Sequence, residues 1–212
     1  MPNAVQRALA GLALLAALLF AQPAGATVTI TFYSHNFHMF HGVTTEFPHG
    51  FALLSGTTGD GQPVKANLGF SATSFYIAAL FHPINGALDE MPLPPGYVEE
   101  ADFHFAFPLS DAQYRAVMAM AEKWRSAPQP SYDYYTRNCV TFIRDIALSA
   151  GLSVSYAKKF IHDPKEFLND VALRNAAFLA PYATPATATA TPTVPAGPSF
   201  TPAPARAEPP PG

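Results

Sequence analysis

Residues 132–151, YDYYTRNCVTFIRDIALSAG, hold Cys139, the one cysteine of a 212-residue chain. Asn138 suits a helix N-cap, because its short side-chain oxygen can accept a first-turn N–H. Gly151 supplies the residue type that ends helices. The run between them is therefore expected to be a helix, with Cys139 in its first turn. Ile143, Ile146 and Ala150 follow the cysteine at helical spacing and share its face, so the sulfur is expected to point into the domain. Two readings follow. A buried cysteine can serve as a small hydrophobe. A thiol in the first turn of a helix also lies near unpaired N–H groups and the positive end of the helix dipole, surroundings typical of reactive cysteines.

The segments outward from this helix set the fold class. TVTITFY (27–33) and ADFHFAF (101–107) alternate in the manner of strands. HGFALLS (49–55) is a short apolar run followed by GTTGDGQP, which has turn chemistry, and VKANLGF (64–70) reads as the returning strand. SHNFHMFHGVTTEFP has no clear period and is expected to be a loop or lid. SFYIAALFHPINGAL is ambiguous between strand and short helix. Ser110 and Gln113 form a capping-box pattern at the start of DAQYRAVMAMAEKWRSA, whose stripe includes Tyr114, Val117, Met118, Ala121 and Trp124. Asp163, Pro164 and Glu166 open a last helix, PKEFLNDVALRNAAFL. Strands come first and helices follow, so the expected class is α+β, an antiparallel sheet packed against helices.

The ends of the chain differ in kind from the middle. Residues 1–26 have a short basic start ending at Arg7, the apolar run ALAGLALLAALLF and the small-residue triplet Ala24-Gly25-Ala26, the pattern of a cleaved export signal. The mature chain is expected to begin at Thr27 and to be exported, periplasmic or extracellular. The apolar run falls short of the roughly 20 residues that a membrane span needs, so no integral span is expected after cleavage. No cysteine near the cleavage site is present to be lipidated. Residues 181–212 are almost entirely Pro, Ala and Thr and are expected to form a disordered tail, since they carry too little apolar surface to offset the entropy of ordering. The domain is expected to span 27–180. The chain's formal net charge is −3, with nothing of the basic footprint that nucleic-acid binding requires.

A cysteine nucleophile needs a base within hydrogen-bond reach and a third group to orient it. His49, at the mouth of a core strand, is the best candidate base. His104 is a rival, expected to be buried in a structural run, while His82 and His162 have no supporting context. His35, His38 and His41 recur every third residue and offer imidazole ligands for zinc or copper, but the spacing fits no single face of a strand or helix. The reading preferred for that cluster is a polar, aromatic loop over the cleft beside His49, with no metal or cofactor.

YDYYTRNCVTFIRDIALSAG resembles the cysteine helix of circularly permuted papain-like proteins, the permuted NlpC-type and lecithin:retinol acyltransferase-like families. PHGFALLSG resembles their histidine strand. The resemblance covers roughly residues 45–150, and His49 precedes Cys139 as the histidine does in those families. It implies a permuted papain-like domain with Cys139 as nucleophile and His49 as base. The third group is then a polar residue on the strand after the histidine strand, where Asn67 matches best and Gln62 and Asp60 compete. Tyr132 matches an upstream tyrosine that either packs under the site or helps hold an oxyanion. The chain departs from the acyltransferase branch in lacking a second histidine on that strand.

The implied function is an exported cysteine hydrolase or acyltransferase acting on an amide or ester of the cell envelope. A peptidoglycan peptide is the favoured substrate and an acyl lipid the second. The alternatives are an inactive papain-like scaffold that binds an envelope component, and a metal-binding protein using the histidine cluster.

Overall fold

The computed structural model describes residues 27–36, 39–40, 43–44, 48–74, 76–90, 92–155 and 158–183. The expected export signal, His38, His41 and nearly all of the expected tail lie outside them. Among the described residues the strands are β1 Val28–His35, β2 Met39–Phe40, β3 Val43–Thr44, β4 His49–Thr57, β5 Pro63–Ala72, β6 Gly86–Leu88 and β7 Phe103–Leu109. The α-helices among the described residues are α1 Tyr76–Ala79, α2 Asp111–Arg125, α3 Cys139–Ser149, α4 Pro164–Arg174 and α5 Ala176–Leu179. β6, β5, β4, β1 and β7 form, in that order, an open five-stranded sheet in which every neighbouring pair is antiparallel. The class is thus α+β, as the order of elements in the sequence implies.

The strands alternate sides, and the register makes one face apolar throughout. Phe32 pairs with Ala52 and Phe105, Ile30 with Leu54 and Phe107, and Ala52 with Leu68. These residues meet Val117, Ala121 and Trp124 of α2, Val140, Ile143, Ile146 and Ala147 of α3, and Phe167, Leu168 and Val171 of α4 in one continuous core. The opposite face carries Tyr33, His35, His49 and Phe51, and Tyr97 from the segment before β7 packs over it against His35 and Phe51.

The helix ends follow their sequence signals. Ser110 accepts the Gln113 N–H, and the Gln113 side chain reaches back to the Ser110 N–H, closing the capping box of α2. Asp163 caps α4, with Pro164 at its first position. The last helix does not run unbroken to Leu179. Asn175 interrupts it, because its side chain exchanges hydrogen bonds with both the N–H and the carbonyl of Ser153 and also donates to Val171. The ambiguous stretch before residue 88 contains both of its readings, a one-turn helix (α1) and a three-residue strand (β6). Part of the expected loop after β1 is a short two-stranded ladder of β2 and β3.

Candidate active site

The site begins with the cap of α3. The Asn138 carbonyl-type side-chain oxygen accepts the N–H groups of Val140 (3.0 Å) and Thr141 (3.2 Å), while Thr141 Oγ1 accepts the Asn138 N–H at 2.8 Å. The Asn138 side-chain amide donates to the carbonyls of Tyr134 (2.9 Å) and Ile161 (2.7 Å). Every polar valence of this buried asparagine is thereby used to hold the start of α3. Cys139 is the next residue, 8 % exposed, with Sγ 3.9 Å from the Pro48 carbonyl oxygen. It is one of the buried apolar stripe with Ile143, Ile146 and Ala150.

β4 delivers His49 to the same place. Its neighbour Gly50 is what allows α3 and α4 to lie against the strand there: a Cβ at Gly50 would stand 2.6 Å from Ile143 Cδ1 and 3.0 Å from Pro164 Cβ. His49 Nε2 lies 3.3 Å from Asp89 Oδ2, and Cys139 is the other polar group that acts on the imidazole. Ninety positions apart in the chain, His49 and Cys139 come together where the start of α3 reaches the first residues of β4, beside the Pro48 carbonyl.

Asp89 stands just past β6, two strands from His49, and the two meet across β5 over Gly69. A Cβ at Gly69 would lie 2.7 Å from Asp89 Oδ2 and 3.0 Å from His49 Nε2. Any other residue at 69 would put its side chain where the carboxylate meets the imidazole. Asp89 is fixed from several sides: its N–H donates to the Gly69 carbonyl at 2.9 Å, and Ser71 Oγ donates to Oδ2 at 2.7 Å. Next to it Glu90 is paired with Arg125, at the end of α2.

The electrostatics follow from this arrangement. Burial alone pulls the His49 pKa down, but the hydrogen bonds to Asp89 and Cys139 and the charges of both outweigh it and raise the pKa to about 10. Asp89 shows the reciprocal effect. Burial pushes its pKa up, the bonds and charge of His49 and the Ser71 hydroxyl pull it down, and the net direction is down. An imidazolium between a carboxylate and a sulfur is the charge state in which a cysteine nucleophile is held ready.

The other sequence candidates fall elsewhere. Asn67 pairs with Leu53, four residues along β4 from His49 and therefore about 13 Å away at strand spacing. It is too far to orient the ring; Asp89 stands in that place. Asp60 and Gln62 lie in the β4–β5 turn, farther still, where Thr58 bonds with both residues. Tyr132 is buried at 6 %, stacks on Phe70 with centroids 5.8 Å apart, and exchanges backbone hydrogen bonds with Ile84, which is the packing role. His104 is exposed, not buried: it pairs with Tyr33 on the face away from the helices, while Phe103, Phe105 and Phe107 turn inward. His35 is buried in the aromatic layer with Tyr97 and Phe51. Among the described residues no three His, Cys, Asp or Glu side chains converge as metal ligands.

Asp89 escapes the sequence reading because β6 has only three residues and no alternation to reveal it. The available signal is the Asn85-Gly86 turn pair, which marks the start of a short strand ending in an acid. Comparison of the chain with family models, with curated proteins and with solved structures finds no match.

Proposed function

We propose that this protein is an exported cysteine hydrolase or acyltransferase of permuted papain-like fold. Cys139 is its nucleophile, His49 its proton carrier and Asp89 the carboxylate that orients and charges His49. The observation that carries the reading is the His49–Asp89 pair, set over a glycine left clear for it, with the Cys139 sulfur 3.9 Å from the carbonyl oxygen of the residue before His49. The chain order supports the permuted form, since the histidine strand precedes the cysteine helix.

The chemistry is that of acyl transfer. The Cys139 sulfur adds to an amide or ester carbonyl carbon, and the tetrahedral intermediate collapses as the bond to the leaving nitrogen or oxygen breaks. The His49 imidazolium gives its proton to that leaving group, and a thioester remains on Cys139. Water or another acceptor then attacks the thioester carbonyl while neutral His49 takes its proton, and the sulfur is released. Asp89 stabilises the imidazolium and fixes the ring in both halves. The export pattern makes envelope material the substrate class, with peptidoglycan peptides first and acyl lipids second.

The test is turnover of purified peptidoglycan stem peptides and, in parallel, of acyl-lipid esters by the wild type and Cys139→Ser. Loss of turnover by a factor of about 100 or more, with an unchanged unfolding midpoint, is expected. A serine variant that keeps the envelope activity would remove the enzyme reading and leave a binding protein.

A further inference from the structure

His162 is an imidazole that the mechanism above does not use. It lies between the 3₁₀ turn Lys158–Phe160 and α4, far in sequence from the tyrosine-rich loop before α3. Yet its ring lies flat on Tyr134, with centroids 3.9 Å apart and planes 12° from parallel, and Tyr135 meets it edge-on at 5.6 Å. The two segments are joined a second time by Asn138, whose amide donates to the carbonyls of Tyr134 and Ile161. The ring pair is therefore tied to the residue immediately before Cys139.

Tyr134 lies within electrostatic range of the sulfur: burial raises its phenol pKa, and the charges of Tyr135 and Cys139 add to the rise. His162 Nδ1 is buried without a well-formed hydrogen-bond partner, so ring contact fixes this imidazole in place of directional bonding. Burial pushes the His162 pKa down, with the Ile161 backbone opposing, a direction that favours the uncharged ring.

We propose that His162 is a positioning residue of the Cys139 site, holding by ring stacking the Tyr134 ring, whose backbone Asn138 ties to the start of α3. The inference rests on the reading of Cys139 as a nucleophile. Its physical content is narrow. A phenol at a fixed distance acts on the charge that the sulfur carries as it reacts, and that interaction depends on the separation. His162 reaches the sulfur only through the ring it holds, so a flat aromatic replacement serves as well, and the effect vanishes when Tyr134 is absent.

The experiment is the alkylation rate of Cys139 by iodoacetamide in the full-length protein. It compares the wild type, His162→Ala, His162→Phe, Tyr134→Ala and the double variant Tyr134→Ala/His162→Ala. His162→Ala is expected to change the rate by about threefold or more, His162→Phe to stay near wild type, and the alanine at 162 to add nothing once Tyr134 is gone. Equal rates in wild type and His162→Ala would overturn the proposal. So would a His162→Ala effect that persists undiminished in the Tyr134→Ala background, the pattern of general loosening. A wild-type thiol no more reactive than a free peptide cysteine would overturn the nucleophile reading itself and this inference with it. If His162→Ala folds poorly, Tyr134→Ala keeps the test decisive: a rate equal to wild type there would also overturn the proposal.

Discussion

At the scale of single residues the account turns on Gly69. Substituting alanine there places a methyl group 2.7 Å from the Asp89 carboxylate and 3.0 Å from the His49 ring, so that contact must open. Gly69→Ala is expected to lower turnover and Cys139 alkylation by about tenfold or more, through loss of a positioned proton carrier. The thermal unfolding midpoint, measured beside the rates, is expected to fall by only a few degrees, since the shifted groups are partly solvated. Asp89→Asn is expected to act in the same direction, because it removes the charge that raises the His49 pKa. Equal rates for Gly69→Ala and the wild type would mean that the approach of Asp89 to His49 is unrelated to Cys139. The placement of Cys139 and His49 was legible, as residue types at the starts of a helix and a strand. The third group was not. The strand next to His49 offers Asn67, whereas the carboxylate comes from one strand beyond and crosses over a glycine.

At the scale of elements, α3 depends on Asn138. The side chain both caps the helix and joins it to the carbonyls of Tyr134 and Ile161, at 3 % exposure. Asn138→Ala removes the cap and leaves buried polar groups unpaired, so a loss of about 2–4 kcal/mol in unfolding free energy is expected from urea titration. Asn138→Asp keeps the accepting oxygen and loses the donor, and an intermediate value is expected. The elements legible in the sequence are those with either a strong period or a cap. β1, β4, β5 and β7 alternate or carry apolar runs, α2 and α3 carry capping boxes, and α4 starts at Asp163-Pro164. The elements that were not legible are short or are set by distant partners. β6 is three residues paired only with β5, and the break at Asn175 exists because Ser153 competes for its side chain. His104 shows a smaller error of the same origin. Strict alternation in FHFAF sends the phenylalanines inward and the histidine out, whatever the apolarity of the run.

At the scale of the whole molecule, the helix layer and the sheet meet so that the start of α3 and the start of β4 share one partly buried charge cluster, and stability is expected to depend on pH through it. The His49 pKa rises from its ordinary value of about 6.5 to about 10 on folding. Its contribution is therefore fully present below the unfolded value and is lost as pH rises through the folded one. The lowered Asp89 pKa contributes above the ordinary value of about 3.9 and is lost as pH falls through its folded value. The unfolding midpoint of the wild type is expected to decline from pH 7 to pH 10 more steeply than that of His49→Ala. Parallel curves would place the histidine outside the cluster. The sequence made the broad layout readable, since strands preceding helices give an α+β sheet with one helical face. It left hidden which loops close over the other face, because Tyr97 reaches His35 and Phe51 from a segment with no regular period.

The central claim is that His49 activates Cys139, and the single thiol of the chain lets one reagent report on it. The decisive measurement is the rate of Cys139 alkylation by iodoacetamide at pH 6 in the wild type and in His49→Ala. The account predicts that the wild type reacts at least about tenfold faster. Equal rates in the two proteins would contradict it.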